Sequence, residues 1–383
     1  MNLPRTPDVA EQAQGESYSN WVRNALRATA GEPEALVLFD STIPEPTDLL
    51  AGVVRRAFAG PVTDRYESVF ADGNRFVAQA VAARYGVGPD RVLTTTGATA
   101  ATAMVLKAYV TPGDHVIVET PCFDLLPNLA REAGAQVSFV PRRGPAFGVD
   151  VAELAAMIRP DTRLVMLTDL HNPSGARLDD ATLTALADLS ARTGVPMLVD
   201  EVYGDFAEPR RAAAALRPEF ITVGSLTKVQ GLFALKCGWA IASPDRLDKI
   251  LAAHPNGDRG VSKLAHAVAA LVLEDIEPFE AHWRGLLAEA RPVLERHAAA
   301  MIADGLLDGA PPAFGNMYFP QVTGVSDTLA LSERLWRDHR LVVAPGEFFG
   351  QPGHLRLGFG GRADALDRGL GRLQAALAEI SRR

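Results

Sequence analysis

Two lysines eight residues apart, Lys228 and Lys236, follow an apolar run in ITVGSLTKVQGLFALKCGW, residues 221–239. A lysine placed where a buried strand ends is held out of water. Desolvation disfavours its charged form and frees the amine for nucleophilic attack. A second cation nearby can hold an anion. Other apolar runs end in equally specific groups: Gly97-Ala98-Thr99, Phe123 after Pro121-Cys122, Asn172 in HNPSG, Asp200 and Tyr203 in DEVY, and Ser225.

The elements that position these groups alternate in type. RVLTTTG (91–97) reads as a strand feeding a helix that stops at Thr-Pro-Gly-Asp. HVIVET (115–120), RLVMLTDL (163–170), PMLVDEVY (196–203), FITVGSL (220–226) and CGWAIAS (237–243) are further short apolar runs. Helical spacing occupies 124–133 and 178–193, and 276–302 reads as one long helix. Buried strands alternating with helices predict an α/β fold, a doubly wound and mostly parallel sheet. A large domain over 46–285 is expected, with a smaller α+β domain formed by 1–45 and 286–383, which includes LVVAPG and HLRLGFG.

Ligands of such sheets sit beyond the carboxyl ends of the strands. The glycine turn at 97–99 suits a phosphate, because free N–H groups and the helix dipole both favour an anion. The aromatic, Asn, Asp, Tyr and Lys suit a flat heteroaromatic ring with a nitrogen, a phenolic oxygen and an aldehyde. Pyridoxal 5′-phosphate is such a molecule.

Taken together in order, these motifs, closed by HLRLGFG, resemble fold-type I pyridoxal-phosphate enzymes of the class I/II aminotransferase family, the aspartate aminotransferase superfamily. The resemblance covers roughly residues 36–376. It implies that Lys228 is the Schiff-base lysine and moves the proton at the substrate α-carbon. Asp200 would keep the ring nitrogen protonated, and Tyr203 and Asn172 would bond the ring oxygen. Phe123 would stack on the ring, where relatives often carry Tyr or Trp. Gly97, Ala98, Thr99 and Ser225 would bind the phosphate. Lys236 stands where relatives usually have arginine, a point charge replacing a two-toothed fork. Arg356 would clamp the substrate α-carboxylate with Asn172 beside it. Tyr66, in RYESVFADGNRF, matches a tyrosine that reaches the phosphate of a neighbouring subunit, so a homodimer with shared sites is implied.

The resemblance implies transfer of an amino group between an L-amino acid and a 2-oxo acid. The same residues also suit a lyase, a decarboxylase or a cyclising synthase of specialised metabolism similar to capreomycidine synthase. A regulator with an aminotransferase-like domain is set aside, because such proteins carry an N-terminal helix-turn-helix and fewer than about 45 residues precede the matched region here. A nicotinamide dehydrogenase is disfavoured because no GxGxxG follows the first strand. The formal charge of −8 argues against nucleic acid or an anionic membrane as main partner. The polar N-terminus and the lack of a long apolar run predict no membrane span. Two cysteines are too few for a disulfide framework or a zinc site, which points to the cytoplasm. Arg259, in HPNGDRGVSK, is expected on a turn, either solvent-exposed or reaching the neighbouring subunit's substrate.

Overall fold

The computed structural model describes residues 17–60, 63–68, 71, 73–254 and 261–382. At its centre is an eight-stranded sheet. Its order is Val92–Thr95, Gly238–Ile241, Phe220–Ser225, Met197–Asp200, Thr162–Thr168, His115–Thr120, Gln136–Arg143 and Gly148–Val149. The strands from 220–225 through 136–143 are mutually parallel. Gly238–Ile241 runs antiparallel to both its neighbours, and Gly148–Val149 antiparallel to Gln136–Arg143.

The central strands read as largely apolar runs because both faces of the sheet are covered there. Successive side chains point to opposite faces, and the packing follows that rule. Val116, Val118, Leu164, Met166, Leu198, Ile221 and Val223 enter one core, which includes the helix Gly97–Tyr109. Ile117, Val165, Leu167, Met197, Val199 and Phe220 enter the other, with the helices Arg75–Tyr85, Asp180–Thr193 and Lys263–Glu274.

A third core joins the long helix Glu277–Ala303, the helix Ala363–Ser381 and the strands Met317–Tyr318 and Leu355–Gly358. Leu38, Ile43, Tyr203 and Val229 belong to the same core, so it abuts the segments that carry the candidate site. A fourth, aromatic cluster gathers Tyr18 and Trp21 of the helix Tyr18–Thr29 with Phe39, Phe319, Phe348 and Phe349.

A buried ionic network fastens the turn after Tyr203. Asp205 accepts from Arg84 at 2.7 Å and from the Tyr85 hydroxyl at 3.0 Å. Glu280, on the long helix, pairs with Arg84, with Arg210 at 2.6 Å and with Arg284 at 2.6 Å. Breaking one member of a buried ionic set strands the other charges. Glu280→Ala is therefore expected to destabilise the protein by about 3 kcal/mol, read from the urea midpoint. A loss near zero would mean that the three arginines are satisfied without it.

Candidate active site

The sheet topology explains how residues far apart in sequence reach one edge. The carboxyl ends of four parallel or edge strands deliver Gly97, Asn172, Asp200 and Ser225. Because Gly238–Ile241 is antiparallel, it is the amino end of that strand that lies there, with Lys236 just before it. Gly238 pairs with Thr95 on one side and Ser225 on the other. A Cβ at Gly238 would come within 2.4 Å of the Gly97 carbonyl carbon and 2.7 Å of the Ala98 nitrogen. Only glycine lets this strand lie against the turn. Gly97 itself has φ +77°, the left-handed region, and opens the helix Gly97–Tyr109.

Within this cradle Gly97 and Ala98 are buried and Thr99 is exposed. Ser225 is buried, and its hydroxyl accepts the Thr227 N–H at 3.3 Å. Lys236 is exposed, with its backbone in the left-handed region at φ +47°. It therefore stands at the rim of the cradle rather than inside it.

Lys228 is half-buried, less enclosed than a fully desolvated amine. Its Nζ donates to Thr42 Oγ1 at 3.2 Å and lies 6.0 Å from the Tyr203 ring centroid and 5.4 Å from that of Phe233. The Lys228 carbonyl accepts the Ile43 N–H at 3.1 Å, so two bonds join the lysine to the 42–43 segment. Ser41 Oγ and the Tyr203 hydroxyl share a hydrogen bond at 2.8 Å. Residues 41 and 42 thus touch both the lysine and the tyrosine. Neither was singled out in the sequence, where Asp-Ser-Thr reads as a loop without a motif.

Asp200 closes its strand, and its Oδ1 accepts the Val202 N–H at 3.0 Å. Burial pushes its carboxyl up to about 6, with Glu119 acting the same way, while the Val202 N–H and Lys228 pull it down. A protonated ring nitrogen beside it would offset that desolvation.

Asn172 and Arg356 are buried and paired, Arg356 Nη1 donating to Asn172 Oδ1 at 2.9 Å. The Asn172 amide nitrogen is thereby left to donate elsewhere. Arg356 Nη2 donates to Phe39 O at 3.0 Å and to the Tyr18 hydroxyl, and Nε has no partner. An unpartnered N–H on a guanidinium only 2% exposed is what an anionic ligand would satisfy.

A polar chain beneath sets this geometry. Asn172 N donates to Thr168 Oγ1 at 3.2 Å, and that hydroxyl donates to Glu119. Glu119 pairs with Arg142 at 2.7 Å, and Arg142 also donates to Thr168 O at 2.6 Å. His171 donates from Nε2 to Pro121 O at 2.7 Å, so Nδ1 accepts from Ser174 Oγ at 2.6 Å. Burial and the Arg142 charge hold this histidine well below its usual range, hence neutral.

Phe123 is half-buried and meets the Tyr18 ring edge-on at 5.8 Å. Cys122 beside it is buried, its thiol raised well above the usual range, so it is unsuited to thiolate chemistry. Tyr66 is 46% exposed. Arg259 lies outside the described residues. The donor set fits pyridoxal phosphate: a backbone cradle for the phosphate, a carboxylate for the ring nitrogen, amide and phenol groups for the ring oxygen, and a lysine for the aldehyde.

Comparison with known proteins agrees with this fit. The family model for aminotransferase class I and II matches residues 59–373, and the chain belongs to that family of pyridoxal-phosphate-dependent aminotransferases. The chain is 34% identical to capreomycidine synthase of Streptomyces vinaceus, covering 81% of this chain and 80% of the relative. Arginine–pyruvate transaminase of Pseudomonas aeruginosa is 28% identical over 98% of this chain and 99% of its own. Among solved structures, the pyridoxal-phosphate-dependent cyclase OrfR superposes with a TM-score of 0.81 at 29% identity, covering 98% and 99% of the two chains. Thermus thermophilus aspartate aminotransferase with maleate gives 0.84 at 21% identity over 97% and 100%, a likeness of fold.

The Asp200 shift has a consequence for the cofactor-free protein. With its folded pKa raised from about 3.9 to about 6, the carboxyl favours folding below pH 4. That contribution is lost as pH rises through 6. Asp200→Asn should remove this decline, on the order of 1–2 kcal/mol after allowance for partial solvent contact. The check is the difference between the two stability–pH curves from pH 4 to 7; parallel curves would contradict it.

Proposed function

We propose that the chain exchanges an amino group between an L-amino acid and a 2-oxo acid, with Lys228 as the catalytic residue. The observation that carries this reading is the Lys228 amine, held at Thr42 in the crevice that also contains Asp200, Tyr203 and the Arg356–Asn172 pair. Pyridoxal phosphate, when bound, supplies an electron sink that makes the substrate α-proton acidic.

The residues divide the remaining work. Arg356 and Asn172 hold the α-carboxylate and so fix the orientation of the α-carbon. Lys228 Nζ would take the proton from that carbon and hold it as an ammonium. With the cofactor bound, Asp200 would hold the ring nitrogen's proton in place, and Tyr203 and Asn172 would bond the ring oxygen. Gly97, Ala98, Thr99 and Ser225 would receive the phosphate, with Lys236 adding charge at the rim. Phe123 would pack against the ring face.

A second reading keeps these roles and changes the product. The 34% identity to capreomycidine synthase and the likeness to the cyclase OrfR favour a cyclising synthase. A single-turnover assay with the twenty amino acids separates the two. Amino transfer predicts the 2-oxo acid of one donor class, in step with loss of that donor. A cyclic or unsaturated product still carrying its amino group would establish the second reading instead.

We also propose a cytoplasmic homodimer, with Tyr66 acting at the neighbouring site. Phe233, 50% exposed beside Lys228, and exposed Tyr66, Leu49 and Leu264 are surfaces a second copy would cover. No described helix is long and apolar enough to cross a membrane. Mixing inactive Lys228→Ala with Tyr66→Phe chains should restore partial activity, since one site of each hybrid is intact. A fully active monomer in sedimentation would exclude the shared site.

A further inference from the structure

We infer that Tyr18 is a substrate-binding residue whose hydroxyl completes the carboxylate clamp of Arg356. This inference rests on the assignment of Arg356 as that clamp. A guanidinium offers a carboxylate two forks, Nη1/Nη2 and Nε/Nη2, and both use Nη2. In this chain both Nη2 hydrogens are engaged, one with Phe39 O at 3.0 Å and one with the Tyr18 hydroxyl oxygen. Nη1 spends a hydrogen on Asn172 Oδ1 at 2.9 Å, and Nε is unpartnered. Neither fork is whole, so Arg356 alone cannot grip a carboxylate with two teeth.

Tyr18 supplies the missing tooth. Its oxygen accepts from Nη2, so its own O–H is left to donate, and the accepted bond polarises that O–H into a stronger donor. Burial raises the phenol well above its ordinary range, which keeps the proton on it. A carboxylate at Arg356 thus receives one hydrogen from the guanidinium and one from Tyr18.

The position is built rather than incidental. The Tyr18 N–H donates to Asp124 Oδ2 at 2.8 Å, and the ring packs with Trp21 at 5.7 Å, Phe348 at 5.8 Å and Phe349 at 5.5 Å. The Arg356 guanidinium carbon lies 4.9 Å from the ring centroid. These contacts fix the hydroxyl without using it.

The test is calorimetric titration of propionate into the holoenzyme and its Tyr18→Phe and Arg356→Lys variants. Phenylalanine retains the ring and its packing, and an unchanged melting temperature verifies this. Tyr18→Phe should weaken propionate about tenfold, as expected for losing a hydrogen bond to a charged group. It should raise KM for the amino acid by a similar factor and leave kcat nearly unchanged. Arg356→Lys should weaken propionate as well. Equal or tighter binding by Tyr18→Phe, with Arg356→Lys weakened, would overturn the inference and make Tyr18 a plug that the substrate displaces. Propionate binding unaffected by Arg356→Lys, or absent from the unsubstituted holoenzyme, would overturn the clamp and the inference together.

Discussion

Burial of both faces of the central sheet is the constraint from which the site follows. With apolar cores on either side, the middles of the central strands are largely apolar, and buried polar side chains such as His115, Glu119 and Thr168 stand near strand ends. The polar groups therefore collect where the backbone leaves the sheet. One antiparallel strand enters the same edge from the opposite direction. It does so only because Gly238 has no side chain to strike the turn at Gly97. A shared edge of glycine turn, Ser225 and Asp200 is a geometric consequence of strand order, not of local sequence.

Electrostatic balance sets the rest. Arg356 and Arg142 are cations in a nearly dry region, and each is surrounded by acceptors. Glu119 answers Arg142, and through Thr168 the same pair sets the backbone of Asn172. Asn172 in turn faces Arg356. The guanidinium is therefore oriented by a chain of hydrogen bonds that begins two strands away. Such connected networks hold a unique geometry better than isolated contacts do.

Six of the eight sheet strands were legible because a strand covered on both faces must be largely apolar; Gln136–Arg143 and Gly148–Val149, partly exposed toward one edge, were not. HVIVET has an apolar Val-Ile-Val centre, and FITVGSL carries Phe, Ile, Val and Leu. The long helix at 277–303 was legible from its spacing, despite Pro292 inside it. The reversed direction of 238–241 was not, since apolar content is blind to strand polarity. At the edge, Lys228, Asp200 and Asn172 stood out because each directly follows a buried run. Tyr18, Ser41 and Thr42 did not: they reach the crevice through contacts 338, 162 and 186 residues apart, which no local pattern encodes. Charge identity likewise gave no hint that Lys236 is exposed at the rim.

The central assignment is Lys228 as the residue that bonds the cofactor. Borohydride reduction of the holoenzyme, tryptic digestion and mass mapping of the pyridoxyl group test it directly. The account predicts one modified peptide in which cleavage fails after Lys228 and proceeds after Lys236. A pyridoxyl group on Lys236 or Lys263, with Lys228 cleaved normally, would contradict it.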